Sequence, residues 1–201
     1  MIRISATNLE AFRRWKANPD AEIDEIINYL LRITPQTEAM IAGSAFHKVL
    51  ENASEGVLTT VQLDDFTFDF TQMEGELALP EQREHKLTLE SEVGGEKVIF
   101  VGVVDAIDNM TIYDHKLTAS IDPENYTDSL QWRCYLDWFG MNRFTYNLFQ
   151  KYQPVQQPGT YIIKQFIPIT FYAYPQLHKD VTDAATEFVQ FVKEFVPELV
   201  K

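Results

Sequence analysis

Continuous apolar character predicts a buried strand in the middle of the chain. Every position from 98 to 104 is apolar except Gly102, and such a pattern is typical of a strand covered on both faces. This strand extends to residue 107. A second candidate strand spans residues 112–117, and a third, at residues 84–93, ends at the turn Gly94-Gly95. The order predicts three consecutive antiparallel strands.

Helical and strand patterns alternate along the rest of the chain. Apolar residues at helical spacing predict helices at residues 4–15, 21–33, 37–54, from 123 or 126 to 139, and 177–196. Aromatic and β-branched residues predict strands at 143–152 and 161–174, with a shorter one at 66–70. We therefore expect an α/β (α+β) domain of 201 residues with a central mixed sheet flanked by helices. N-terminal helices occupy 1–36, the core 37–153, and a last strand and helix 154–201.

Polar residues interrupt the central strands at positions where burial makes them costly. Asp105 follows the apolar run of the first strand, and Asp114 and Lys116 share one face of the second. A two-residue turn at Asn109-Met110, or a four-residue turn, sets Asp105 opposite Asp114, whereas a three-residue turn separates the two carboxylates. Opposed Cβ atoms lie about 5 Å apart, so the carboxylates repel unless a cation lies between them.

Oxygen ligands of this kind suit Mg²⁺ or Mn²⁺. The alternative is a surface ion-pair cluster, which occurs on many hairpins. The apolar flanks of both strands argue against it.

The charge of the chain argues against a nucleic-acid partner. With 17 basic and 30 acidic residues, the net charge is −13 and the pI is about 4.7, whereas phosphate-binding proteins usually show a basic surface. Arg13, Arg14 and Lys16 form the densest basic cluster, which is either a solvated helix face or a phosphate contact. The lone Cys134 cannot hold an iron–sulfur cluster. Neither a signal sequence nor an apolar run long enough for a membrane span is evident, so we expect a soluble, cytoplasmic protein.

Several motifs in sequence order resemble the RecB-like branch of the PD-(D/E)XK nuclease superfamily. They lie between residues 4 and 140 and start with the opening segment ISATNL. The others are Gly43-Ser44-Ala45-Phe46-His47 with Glu51, Glu84, Gly102-Val103-Val104-Asp105, Ile112-Tyr113-Asp114-His115-Lys116, and Gln131-x-x-x-Tyr135. The resemblance implies a restriction-endonuclease-like core and a stand-alone, phage-type exonuclease, in a bacterial cell or a phage-infected host.

The resemblance also implies roles for these residues. Asp105 and Asp114 would hold Mg²⁺ or Mn²⁺ with the backbone carbonyl of His115. His47 would be a further ligand or would orient the ligands, and Lys116 would be catalytic. Gln131 and Tyr135 would face the same cleft and contact substrate, and Glu84 and Glu51 are further candidates.

The implied activity is metal-dependent hydrolysis of DNA ends, single- or double-stranded, in recombination, repair or replication. A protein partner in those processes, or assembly into an oligomer, would be compatible with it. The alternative is a catalytically silent adaptor or inhibitor of the same fold that binds a protein. Hydrolysis of small nucleotides is a third reading, for which the sequence shows no base-binding pocket.

Overall fold

The fold is a mixed β-sheet with helices on both faces, as seen in a computed structural model that describes residues 1–53, 58–75, 77 and 79–200. Within these residues, eight strands form one sheet in the order β1-β5-β6-β7-β8-β3-β2, and β4 pairs with the other edge of β5. The strands are β1 (Ile2–Ser5), β2 (Thr60–Leu63), β3 (Phe66–Asp69), β4 (Gln82–Val93), β5 (Glu96–Asp108), β6 (Thr111–Thr118), β7 (Arg143–Tyr152) and β8 (Thr160–Tyr172). The expected α/β architecture with a mixed sheet is confirmed.

The helices occupy the predicted regions with shifted ends. They are α1 (Ala6–Ala17), α2 (Ile23–Leu30), α3 (Glu38–Asn52), α4 (Glu124–Thr127), α5 (Leu130–Phe139) and α6 (Leu177–Phe195), followed by a 3₁₀ turn at Pro197–Leu199. Thr37 caps α3 through its hydroxyl, and the predicted end of this helix at Ser54 lies outside the described residues. No helix in the described part of the chain is both long and apolar enough to cross a membrane.

Three element predictions were wrong in detail. Residues 2–5 form a strand that pairs in parallel with β5, so α1 begins only at Ala6, with Ser5 as its N-cap. The expected helix from 123 or 126 to 139 is two helices, because the Ser129 hydroxyl accepts from the Gln131 N–H and starts a new helix. Strand β2 was missed.

Two apolar clusters cover opposite faces of the sheet. Leu148 and Phe149 are neighbours on β7 and belong to different clusters, as the alternation of side chains along a strand requires. The larger cluster lies under α1, α5 and α6, and the smaller one lies under α3. A Cβ at Gly102 would lie 2.9 Å from Phe139 Cε2, so this glycine lets α5 pack closely on β5.

Candidate active site

One edge of β5 is interrupted where the candidate residues lie. Strand β1 pairs with this edge up to Ser5–Val101, and β6 joins it at Ala106–Tyr113. Strand β4 occupies the opposite edge. Between Val101 and Ala106 the described ladders therefore leave a gap, which is bordered by the start of α1 and by the residues after Tyr113.

The turn before this gap has the two-residue form. Asp108 pairs with Thr111, and Asn109 has a φ of +33°, so Asn109-Met110 is the turn. The three-residue alternative is thereby excluded. Asp105 and Asp114 would be the next pair in the same register, but the ladder stops one step before them.

Asp105 lies in the gap and joins two elements. Its Oδ1 lies 3.0 Å from His47 Nδ1 on α3, and its Oδ2 accepts a hydrogen bond from the backbone N–H of His115 at 2.6 Å. The carboxylate is therefore in contact with the peptide group that follows Asp114. Burial acts to lower the pKa of His47, but the hydrogen bond and charge of Asp105, with the charge of Asp114, raise it above its ordinary value.

Asp114 and Lys116 form an ion pair beside it, in which the carboxylate is buried and the lysine is partly exposed. Lys116 Nζ lies 2.6 Å from Asp114 Oδ2, and their side chains are 31% and 5% exposed. Burial acts to lower the pKa of Lys116, but the Asp114 carboxylate outweighs it and raises that pKa. Gln131 Nε2 on α5 donates to Asp114 Oδ1 at 2.9 Å, so Gln131 contacts a candidate metal ligand, and its role in binding substrate stays a prediction.

Tyr135 is held differently from Gln131. Its hydroxyl donates to the backbone carbonyl of Val103 at 2.9 Å, inside the gap of β5. The structure thus gives this tyrosine a contact with the strand that carries Asp105 and no direct contact with either carboxylate. It anchors α5 to β5 one turn of helix away from Gln131.

Among the described residues, the ring of His115 forms its hydrogen bond with Asn147 and not with a carboxylate. The ring is buried, its Nδ1 accepts from Asn147 Nδ2 at 3.2 Å, and burial lowers its pKa to about 4. A neutral ring at neutral pH is consistent with an accepting Nδ1. The role predicted for its backbone carbonyl as a ligand stays a prediction.

The remaining candidates line one pocket of about 760 Å³. Gly43, His47 and Glu51 lie on the face of α3 that lines it, as their spacing predicted. Glu84 and Lys116 are among its other lining residues. Burial, then the charges of Asp105 and Glu51, raise the pKa of Glu84, whose backbone has a φ of +50°. A Cβ at Gly43 would meet nothing within 4 Å, so close packing is not the reason for this glycine.

The donor atoms fit a divalent cation in chemistry, although they do not form a complete cage. Among the described residues no three His, Cys, Asp or Glu side chains are grouped closely enough to hold a metal ion. Asp114 Oδ2 is nevertheless buried, and its contact among the described residues is the ion pair with Lys116 at 2.6 Å. Carboxylate oxygens are suitable ligands for Mg²⁺ and Mn²⁺, and His47 and Lys116 supply the positive charge beside them.

Sequence reasoning missed an acid that fixes α5. Glu10 is 7% exposed, and its oxygens accept from Arg13, from Arg14 and from the backbone N–H of Leu130 at 2.7 Å. Burial acts to raise the pKa of Glu10, but these hydrogen bonds lower it. The spacing i, i+3, i+4 on α1 was the available signal. The basic cluster is therefore paired, since Lys16 also contacts Glu187.

Arg83 was missed as well. Its guanidinium donates to the carbonyl oxygens of Leu50, Glu51 and Ala53, at the end of α3. It thus ties the helix that carries His47 to β4, which carries Glu84. No local sequence signal pairs residues about thirty positions apart in this way.

Comparisons with known proteins establish the fold alone. No protein-family model matches the chain, and no curated protein matches its sequence. The crystal structure of SSO0001 shares the fold with a TM-score of 0.52 and 14% identity, covering 95% of this chain and 77% of that one.

Two exonuclease structures are more distant. The alkaline exonuclease LHK-Exo from Laribacter hongkongensis has a TM-score of 0.48 and 12% identity, covering 98% and 91% of the two chains. A phage-related exonuclease from Haemophilus somnus 129PT has a TM-score of 0.46 and 10% identity, with 96% of each chain covered. TM-scores below 0.5 do not establish a common fold.

Proposed function

We propose that this chain is a divalent-metal-dependent nuclease of the PD-(D/E)XK superfamily, in its RecB-like branch, and that it hydrolyses phosphodiester bonds of DNA as an exonuclease in recombination, repair or replication. The observation that carries the proposal is the gap between β1 and β6 along one edge of β5. There, Asp105 contacts the peptide that follows Asp114, and Asp114 holds Lys116 at 2.6 Å.

In this proposal Asp105 and Asp114 hold Mg²⁺ or Mn²⁺, with His47 and the His115 carbonyl as further ligands. The ion would polarise the scissile phosphate and lower the pKa of a nearby water. His47 already contacts Asp105 Oδ1, so binding requires the imidazole to release its proton and to leave that oxygen free.

Lys116 supplies the positive charge that the reaction needs. Its raised pKa keeps it protonated at neutral pH, so it can hold the attacking water and stabilise the negative charge that develops on the phosphate. Gln131 fixes Asp114 Oδ1 and leaves Oδ2 directed at Lys116. Tyr135 holds β5 through Val103, and Glu84 and Glu51 line the same pocket.

A second candidate is an adaptor of the same fold that binds a protein. Two observations favour it: the net charge of −13, and the lack of any grouped set of three ligating side chains in the described residues. In a protein without catalytic activity, a buried carboxylate oxygen paired with lysine would bring no functional gain to offset its burial, which costs several kcal/mol.

Degradation of end-labelled DNA tests the proposal. Single- and double-stranded substrates are incubated in Mn²⁺, in Mg²⁺ and in EDTA with the wild-type chain, with Asp114→Asn and with the control Asp183→Asn, a surface acid that is 60% exposed. We expect wild type and control to degrade DNA only with metal, and Asp114→Asn to be inactive while folded.

Metal binding is measured separately. At 100 times its dissociation constant, Mn²⁺ should stabilise wild type by about 2.7 kcal/mol and stabilise Asp114→Asn much less. An absence of cleavage by the wild-type chain under every condition favours the adaptor.

A further inference from the structure

We propose that a groove beside the candidate site binds the backbone phosphates of one nucleic-acid strand. The groove, here the arginine groove, has a volume of about 630 Å³, and Arg3, Arg32, Thr7, Asn8, Tyr29 and Thr34 line it among others. The proposal rests on the proposed function and states how an acidic chain holds a polyanion.

The first observation is the charge of the lining. The chain has 30 acidic residues, yet among the described residues the charged side chains that line this groove are Arg3 and Arg32, and no carboxylate lines it. A comparable cleft beside α3, of about 650 Å³, is lined by three acids, Glu38, Asp64 and Asp65, and by one lysine, Lys48. Of these two clefts, only the arginine groove has a lining of net positive charge.

The second observation is which arginines form hydrogen bonds or ion pairs within the protein. Five of the seven donate hydrogen bonds to protein oxygens: Arg13, Arg14, Arg83, Arg133 and Arg143. Arg3 and Arg32 have no ion pair or side-chain hydrogen bond with the residues that the structure describes, and both are exposed. The two guanidinium groups left available by the fold thus lie along the same groove.

The third observation is continuity with the site. The arginine groove shares Thr7, Gln36 and Met40 with the pocket that contains His47 and Lys116. Its floor includes Val101 and Val103, which lead along β5 to Asp105 in the gap. A nucleic-acid strand that lies in the groove would enter the pocket between the start of α1 and β5.

The chemistry of the lining matches a sugar–phosphate backbone. Guanidinium groups bind phosphate oxygens through two parallel hydrogen bonds, and hydroxyl and amide groups such as Thr7, Thr34 and Asn8 are common phosphate contacts. Tyr29 is half-buried and Met40 is 48% exposed, so apolar surface is present for sugars and bases. Contacts of this kind do not depend on the base sequence of the nucleic acid.

Oligonucleotide binding tests the proposal. Affinity of fluorescein-labelled oligothymidylate and oligouridylate is measured by anisotropy with Ca²⁺ in place of Mg²⁺, across a range of salt concentrations. Arg3→Gln/Arg32→Gln is compared with wild type and with Lys97→Gln/Lys179→Gln, a control that removes the same charge from exposed positions outside the groove. Thermal unfolding checks that all three proteins are folded.

The expected loss follows from counterion release. Each phosphate contact to a single strand contributes about −0.7 to the slope of log K against log salt, so two contacts change the slope by about 1.4 and the affinity by about 25-fold at 0.1 M salt. We expect this loss in the arginine variant and less than half of the slope change in the control. Equal affinity and slope in the arginine variant and wild type, or no binding by wild type, would overturn the proposal.

A small substrate separates the two proposals. The p-nitrophenyl ester of thymidine 5′-phosphate is too short to occupy both the site and the groove. The arginine variant should hydrolyse this ester with an unchanged kcat/KM. The Asp114→Asn variant should not hydrolyse it. If wild type fails to hydrolyse any diester but binds oligonucleotides through the arginines, the proposed function fails and the groove stands. If hydrolysis is normal and the arginines do not affect binding, the groove fails and the function stands.

Discussion

Replacement of Glu10 by glutamine should destabilise the protein in a pH-dependent way. The carboxylate accepts from Arg13 at 2.8 and 3.2 Å, from Arg14 at 2.7 Å and from the Leu130 N–H at 2.7 Å. Glutamine keeps the shape and one oxygen, but its amide N–H₂ must face a donor. The Glu10→Gln variant therefore loses at least one charge-assisted contact.

The size of this effect follows from burial. A hydrogen bond to a charged group contributes about 1.5–3 kcal/mol, and the Arg13 pair, whose side chains are 29% and 10% exposed, should fall in that range. Arg14 is 65% exposed and can be rehydrated, so its share is about 0–1 kcal/mol. We expect the free energy of unfolding at neutral pH to fall by about 2–3 kcal/mol.

The sign of the pH dependence is fixed by the lowered pKa of Glu10. A carboxyl group with a depressed pKa in the folded state stabilises the protein above its unfolded pKa, near 4.5, and loses this contribution as the pH falls through the folded value. The difference between wild type and Glu10→Gln should therefore be full at neutral pH and should shrink once the pH is well below 4.5.

Urea unfolding followed by tryptophan fluorescence measures both quantities. The control is Glu187→Gln, which breaks an exposed ion pair with Lys16 and should change stability by less than about 1 kcal/mol. A difference between wild type and Glu10→Gln that is the same at neutral and acidic pH would refute this reasoning, as would a Glu10→Gln variant as stable as the control.

Three further substitutions test the packing around the site, each by urea or thermal unfolding. Gly43→Ala should raise stability by about 0.5–1 kcal/mol, because alanine favours a helix and its Cβ meets nothing; a loss would show a hidden contact. Gly102→Ala should lower stability by about 1–3 kcal/mol, because its Cβ would lie 2.9 Å from Phe139, and a neutral result would show that the ring can move. Arg83→Gln should cost about 1–3 kcal/mol and speed amide exchange in the last turn of α3; unchanged exchange would contradict the capping role.

Local pattern was sufficient for the hairpin at the centre of the fold. Continuous apolar residues predicted β5, and the two-residue turn at Asn109-Met110 was one of the alternatives that the sequence left open. Strand β1 could not be predicted, because four residues before a helix carry little pattern and its pairing partner lies about a hundred positions away.

The interruption before Leu130 had a local signal in Ser129, but the apolar spacing suggested an unbroken helix. The long-range contacts around the candidate site could not be predicted from the sequence, for a different reason. Glu10 meets Leu130 across 120 positions, and His47 meets Asp105 across 58. Such contacts depend on how helices settle on the sheet, which is a packing outcome. The order of the motifs nevertheless grouped residues that are in contact: His47 with Asp105, and Asp114 with Lys116 and Gln131.

The long outer strand β4 has a consequence for handling the protein. Eleven of its twelve residues pair on one side with β5, and the described ladders show no partner on the other. It is therefore a template with which further copies of the chain could pair. Charged side chains such as Glu84, Lys86, Glu90 and Glu92 follow this rim, and mutual repulsion between molecules of charge −13 adds to their effect. Concentrated salt shortens the reach of that repulsion from about 10 Å at 0.1 M to about 3 Å at 1 M. Storage in dilute salt should therefore keep the chains dispersed, and salting out should begin at this rim.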